Sequence, residues 1–126
     1  MSISNYLENK LLGAVYNSAA FGVGNNPYIS LHDSDPGETG AGEITAGAYT
    51  YARQQSAFGS PGAGATENAG AITWTNLPAK TITHLGVWDA VSSGNFLWGG
   101  ALNTSKTTNA GDTFTINSGS LDVTLD

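Results

Sequence analysis

From Asn5 to Ala20 the apolar residues Leu7, Leu11, Leu12, Val15, Tyr16 and Ala19 fall at spacings of three and four, the period of one helical face. Asn5 followed by Glu8 has the spacing of a capping box with an Asx side chain as the cap, and Ser4 is the competing cap. Gly22 and Gly24, then Asn25-Asn26-Pro27, end the run. The pattern predicts one amphipathic helix over residues 5–20, with a face that must be buried against something.

After Pro27 the period changes to two. Tyr28 to His32, Tyr49 to Phe58, Ala71 to Asn76, Thr81 to Asp89, Phe96 to Leu102, Thr113 to Asn117 and Leu121 to Leu125 read as short strands. Between them lie turn-rich stretches: Asp33 to Glu43, Gly59 to Gly70, Ser92-Ser93-Gly94-Asn95 and Asn109-Ala110-Gly111-Asp112. With no helices alternating with the strands, a parallel sheet cannot be wired, so the pairing should be antiparallel. The expectation is an all-β fold, an antiparallel β-sandwich or jelly-roll-like domain with one N-terminal helix. It comprises a single domain over residues 1–126, with the helix at 5–20 and the sandwich at 27–126. No fixed-period repeat or heptad run is present, so the chain alone cannot build a fibre shaft.

Composition removes several functions. The 126 residues carry 10 Asp+Glu against 4 Lys+Arg, a formal net charge of -6. Four scattered cations form no patch to neutralise phosphates, so nucleic acid is not an expected partner. No apolar run approaches the roughly 18 residues of a membrane span, and no basic-then-apolar leader follows Met1, so neither a membrane partner nor a signal peptide is expected. The absence of Cys removes disulfides, thiolate metal sites and Cys nucleophiles together. With 40% hydrophobic residues, the chain has enough apolar surface to fold.

The remaining candidates for chemistry each have a structural reading beside the functional one. Asp33, Asp35, Glu38 and Glu43 bring carboxylates together in a loop, as a hard cation would require. The EF-hand template fails on them, however, with Gly37 at its fifth position, Glu38 at its sixth and Ile44 at its twelfth, and Asp-Pro-Gly is an ordinary turn sequence. His32 and His84 are the only imidazoles, and no Gly-x-Ser-x-Gly elbow accompanies them. By alternation His32 shares a strand face with Tyr28 and Ser30, and His84 with Ile82, Gly86 and Trp88, which reads as packing. Gly62-Ala63-Gly64 lacks the Gly-Lys-Ser/Thr of a phosphate loop. Trp74, Trp88 and Trp98 could stack on sugar rings, but alternation pairs Trp88 with Ile82 and Trp98 with Phe96, as core residues. Trp74, between Thr73 and Thr75, is left as the carbohydrate candidate. Arg53, the only Arg, lies among Tyr49, Tyr51 and Phe58 and should be paired or stacked, at the sheet surface or a subunit contact. The candidate interaction residues are therefore Leu7, Leu11, Arg53 and Trp74; no catalytic residue, metal ligand or cofactor site is expected.

Several stretches, in order, resemble a family of small tailed-bacteriophage proteins usually labelled "phage tail fibre protein". They are Ser4-Asn5-Tyr6-Leu7-Glu8-Asn9-Lys10-Leu11-Leu12, Asp35-Pro36-Gly37-Glu38-Thr39-Gly40, Tyr51-Ala52-Arg53-Gln54-Gln55 and Thr83-His84-Leu85-Gly86-Val87-Trp88-Asp89-Ala90. Residues 100–114 and the ending Leu121-Asp122-Val123-Thr124-Leu125-Asp126 also look like that family. The resemblance spans nearly the whole chain and implies a non-enzymatic virion component, made in the bacterial host cytoplasm, with no catalytic residues to transfer. Its implied partners are other virion proteins of tail or capsid, with the chain a homo-oligomer or present in many copies on a symmetric particle. A compact acidic β domain would also suit a capsid decoration or cement protein, the alternative to the tail-associated surface module that the resemblance favours. Beside these readings stand a carbohydrate- or receptor-binding module for a host glycan, resting on the tryptophans, and a hydrolase or metal enzyme resting on His32, His84 and the acidic loop.

Overall fold

The computed structural model describes residues 2–22 and 26–125. It is a mostly-β fold with one N-terminal helix and three antiparallel sheets. In chain order the elements are β1 (Ser2–Ile3), α1 (Asn5–Tyr16), β2 (Tyr28–His32), β3 (Gln54–Gln55), β4 (Ala65–Glu67), β5 (Ile72–Leu77), β6 (Lys80–Trp88), β7 (Phe96–Thr108), β8 (Asp112–Ile116) and β9 (Asp122–Thr124). The largest sheet has the order β1-β7-β6-β2-β3, and β4 with β9 and β5 with β8 form two-stranded sheets.

Register explains which residues are inside. Opposite Ile29 lies Val87, and opposite Leu31 lies Leu85; Val87 and Leu85 in turn face Trp98 and Gly100. These side chains line one face of the large sheet. They join Ile72, Trp74, Leu77 and Ile116 from the β5–β8 sheet, with Ile44, Ile82 and Leu121, in one hydrophobic cluster. The other face carries Ser30, His32, His84, Gly86, Trp88 and Phe96. It is covered as well, because segment 33–43 folds back over it. Pro36 packs against Gly99, and Gly40 lies so close to Trp88 and Phe96 that a Cβ there would collide with both rings. Its φ of +80° independently favours glycine. This double cover is why four consecutive residues of β2, Ile29 to His32, are buried where a half-exposed strand would alternate.

Several expected boundaries move. The helix ends at Tyr16, short of Ala20, because Ser18 adopts a left-handed conformation (φ 52°) and Ala19 N–H returns to the Gly13 carbonyl. The N-cap is Ser4, not Asn5: its Oγ accepts from Leu7 N–H, which Asn5, already helical, cannot do. Of the expected strand Tyr49–Phe58 only Gln54–Gln55 forms a strand, with Phe58 making an isolated bridge to Asn68, and β4 forms inside the expected loop 59–70. Strand β7 runs to Thr108, with a bulge that sets residues 102–105 opposite Thr83. A second irregularity places Trp98 opposite Val87 and Phe96 opposite Trp88, so Phe96 and Trp98 project to opposite faces, against the simple alternation. The helix stop at Gly24 and Asn25 lies outside the described residues.

Candidate functional site

No residue of α1 is buried. The helix is held mainly by its cap: Ser4 N–H donates to Leu97 O, and the Ser4 hydroxyl donates to Phe96 O. The Glu38 carboxylate accepts from Asn5 N–H at 2.9 Å, placing negative charge at the positive end of the helix. Beyond this anchor the expected apolar face is only half covered. Leu7 and Leu11 line one wall of an apolar groove of about 440 Å³, completed by Phe21, Pro61, Val123 and Leu125. Leu12, Val15 and Tyr16 are 56, 71 and 78% exposed. The lining residues contributed by β9, by Leu125 after it and by β4 with its preceding loop were not legible as a surface, since Val123 and Leu125 alternate like any short strand.

Arg53 occupies a different place, inside the chain. Its Nε and Nη2 donate to Glu43 Oε2 and Oε1 at 2.9 and 2.8 Å, a bidentate pair. Its Nη1 donates to the carbonyls of Ala90 and Ser93 at 3.1 and 2.8 Å, and its guanidinium lies 3.6 Å from the Trp88 ring centre. The paired-and-stacked expectation describes this geometry, with the turn at 90–93, segment 33–43 and β6 all gathered on one guanidinium. Tyr51 adds a donor to Glu43 at 2.7 Å while accepting from Leu31 N–H. Burial raises the Glu43 carboxyl, but the bonds from Arg53 and Tyr51 outweigh it and hold the group below its ordinary value. Burial, and then the charge of Glu43, push the Tyr51 phenol well above its usual range. The dense side-chain bonding also accounts for the short β3, since Tyr51 and Arg53 are engaged with Glu43 of segment 33–43 and not with a strand ladder.

Beside this cluster runs a chain of hydrogen bonds. Trp88 Nε1 donates to Ser30 Oγ at 2.9 Å, Ser30 Oγ lies 2.6 Å from His32 Nε2, and His32 Nδ1 lies 2.7 Å from the Ala41 carbonyl. A carbonyl only accepts, so Nδ1 carries a proton; with burial favouring the neutral ring, Nε2 accepts from the Ser30 hydroxyl. Burial lowers the His32 pKa from its ordinary value, opposed in part by the Ala41 carbonyl and Glu43. His84 stands directly across from His32 on β6 and bonds Thr83 Oγ1 at 2.8 Å. With both His32 nitrogens occupied and Glu43 bound to Arg53, the two imidazoles and the acid make no open catalytic cleft.

The other candidates fall apart in space. Trp74 is only 1% exposed and stacks on Phe114 across the β5–β8 pair (5.7 Å between centres). Its indole N–H has no hydrogen-bond partner among the described residues. It is a core residue and not a sugar platform, because Thr73 and Thr75 take the outward positions; Trp88 and Trp98 are buried too. The carboxylates of the acidic loop separate: Asp35 accepts from Gly37 N–H, Glu38 caps α1, Glu43 holds Arg53 and Asp33 faces Lys80 at 3.7 Å. Among the described residues no group of three or more His, Asp or Glu could hold a metal ion. No helix among them is long and apolar enough to cross a membrane.

The chain's polar groups are spent on tying segments together, and an apolar groove is left open beside α1, as befits a structural β protein. Its family follows from the sequence: the family described as "Podophage GP4 fiber I protein gp80" matches residues 2–124. The chain belongs to that family, and it is a non-enzymatic structural protein of a tailed-phage virion, of tail-fibre type. No curated protein matches it.

Proposed function

We propose that the protein is a surface module of the phage tail that attaches to a neighbouring virion protein through α1 and the groove beneath it. In this reading residues 1–126 form one domain, the large sheet and the β5–β8 sheet act as the two layers of a β-sandwich, and the module is repeated in many copies by the symmetry of the particle. The carrying observation is α1 itself: a helix with no buried residue, anchored at its cap, presenting Leu12, Val15 and Tyr16 to solvent beside a groove lined by Leu7 and Leu11. Contiguous exposed apolar surface of this kind marks interaction sites. The family's description as a fiber protein supports the tail over a decoration role on the head. Repetition lets a modest contact suffice, because each copy is held at high effective concentration.

The test is incorporation. Particles assembled with a Leu7→Asp/Leu11→Asp variant should carry less than about a tenth of the wild-type copy number by quantitative mass spectrometry, an affinity loss of roughly 1.4 kcal/mol or more. The purified variant should keep the wild-type circular dichroism and tryptophan emission. A folded variant present in particles at the wild-type level would refute attachment through this surface.

A further inference from the structure

Segment 33–43 crosses the outer face of the large sheet, and its hold at the Ala41 end passes through His32. The segment closes on itself through Asp33 N–H to Gly42 O, and it is fixed to the rest of the chain by Ile44 N–H to Leu31 O, the Arg53–Glu43 pair and the bond from His32 Nδ1 to Ala41 O. At its middle, Glu38 bonds the first turn of α1. One covering segment thus joins a fully buried histidine to the anchored end of the exposed helix.

We propose that His32 is a proton-operated latch: its protonation frees segment 33–43 from the sheet and loosens the Glu38 contact to α1. The reason is donor and acceptor counting. Neutral His32 accepts from Ser30, whose oxygen in turn accepts from Trp88. A second ring proton turns Nε2 into a donor aimed at Ser30 Oγ. The Ser30 hydroxyl proton then needs a new acceptor, yet His32 and Trp88 are the only hydrogen-bond partners Ser30 Oγ has among the described residues. Both Ser30 and His32 are fully buried, so water cannot serve in the closed state. No slack exists beneath them: a Cβ on Gly86 would lie 2.5 Å from Ser30 Oγ and 2.6 Å from His32 Nε2.

The charged and titratable groups around His32 set the balance. From segment 33–43 Glu43 favours the charged ring, whereas Arg53, and His84 across on β6, oppose it. Tyr51 reaches the same carboxylate as Arg53, and Phe96 from β7 contributes only an apolar ring, 6.5 Å away. Burial dominates, so the closed state holds its imidazole below the ordinary pKa. The open state, with the ring in water, takes up the proton near 6.5. Opening therefore becomes easier as pH falls below about 6.5, by up to about tenfold per pH unit until the closed form also titrates. The latch is a property of the isolated chain and stands whether or not α1 attaches to a neighbour.

Hydrogen exchange of the full chain, corrected for intrinsic rates, tests it at pH 7.5 and 5.0. Amides of Asp33, Gly40, Ala41 and Ile44 should lose protection by up to about 30-fold in the wild type, while those of β6 and β7 within the sheet change little. A His32→Gln variant, which keeps a donor and an acceptor but cannot titrate in this range, should lose less than about twofold, the residue left by Glu43. Should that variant misfold, NMR titration of His32 in the wild type decides instead: its midpoint must lie below 6.5, with protection falling between pH 6.5 and that midpoint and levelling off beneath it. Equal losses in wild type and variant, an unchanged segment in the wild type, or a His32 midpoint at or above 6.5 would overturn the proposal.

Discussion

Replacing Arg53 by Met keeps an apolar stem over Trp88 and removes every donor. Four hydrogen bonds are lost, two to the Glu43 carboxylate and two to the carbonyls of Ala90 and Ser93. The carbonyls belong to an exposed turn and can be rehydrated, so their loss weighs little. Glu43 is the larger matter, because its side chain is only 22% exposed and the Tyr51 hydroxyl becomes its one remaining side-chain partner among the described residues. Removing one member of a buried pair costs about 3–5 kcal/mol; partial access to water and the Tyr51 bond place this case near the low end, about 3 kcal/mol. Urea unfolding followed by tryptophan fluorescence at pH 7.5 reads the loss directly. Adding Glu43→Gln to Arg53→Met removes the stranded charge, so the double variant should be more stable than the sum of the single effects by roughly 1.5 kcal/mol or more. A loss under about 1 kcal/mol for Arg53→Met, with single effects that simply add, would refute the view that this pair ties segment 33–43 to the sheet.

Gly86→Ala forces a methyl group into Ser30 Oγ and His32 Nε2; it should destabilise by about 2–3 kcal/mol in the same assay, whereas a neutral outcome would mean that the two side chains move aside freely. Ser4→Ala removes both the cap to Leu7 and the bond to Phe96 O, a loss of about 2 kcal/mol, and helix amides of the first turn should exchange faster, while unchanged protection would argue for a different anchor. Trp74→Ala should destabilise by about 3–5 kcal/mol by opening a cavity beside Phe114; a stable variant that had instead lost binding on a glycan array would restore the carbohydrate reading.

Much of this architecture is legible along the chain. Strand β2 has its expected bounds, since Tyr28 to His32 is bracketed by Pro27 and Asp33, and β5, β6 and β8 lie within a residue or two of theirs. What could not be read depends on contacts distant in sequence. The polar run Asn103 to Thr108 has no alternation to mark it as the end of β7, and β4 sits among glycines and is fixed by pairing with β9. Alternation put Phe96 and Trp98 on one face, and a bulge separates them. At the site, Arg53 was identifiable as the lone guanidinium among acids, but its partner was not, because any of four nearby carboxylates had the right charge. The Trp88–Ser30–His32 chain depends on the β2–β6 register, which no local pattern encodes. The groove joins Leu7 and Leu11 to Val123 and Leu125 at the far end of the sequence, a juxtaposition that only the fold creates.

A reconstruction of the assembled phage particle tests the central claim most directly. The account predicts many copies of this chain on the tail, each with α1 and the Leu7–Leu11 groove pressed against an adjoining protein. Particles that lack the chain, or copies whose groove faces open solvent, would contradict it.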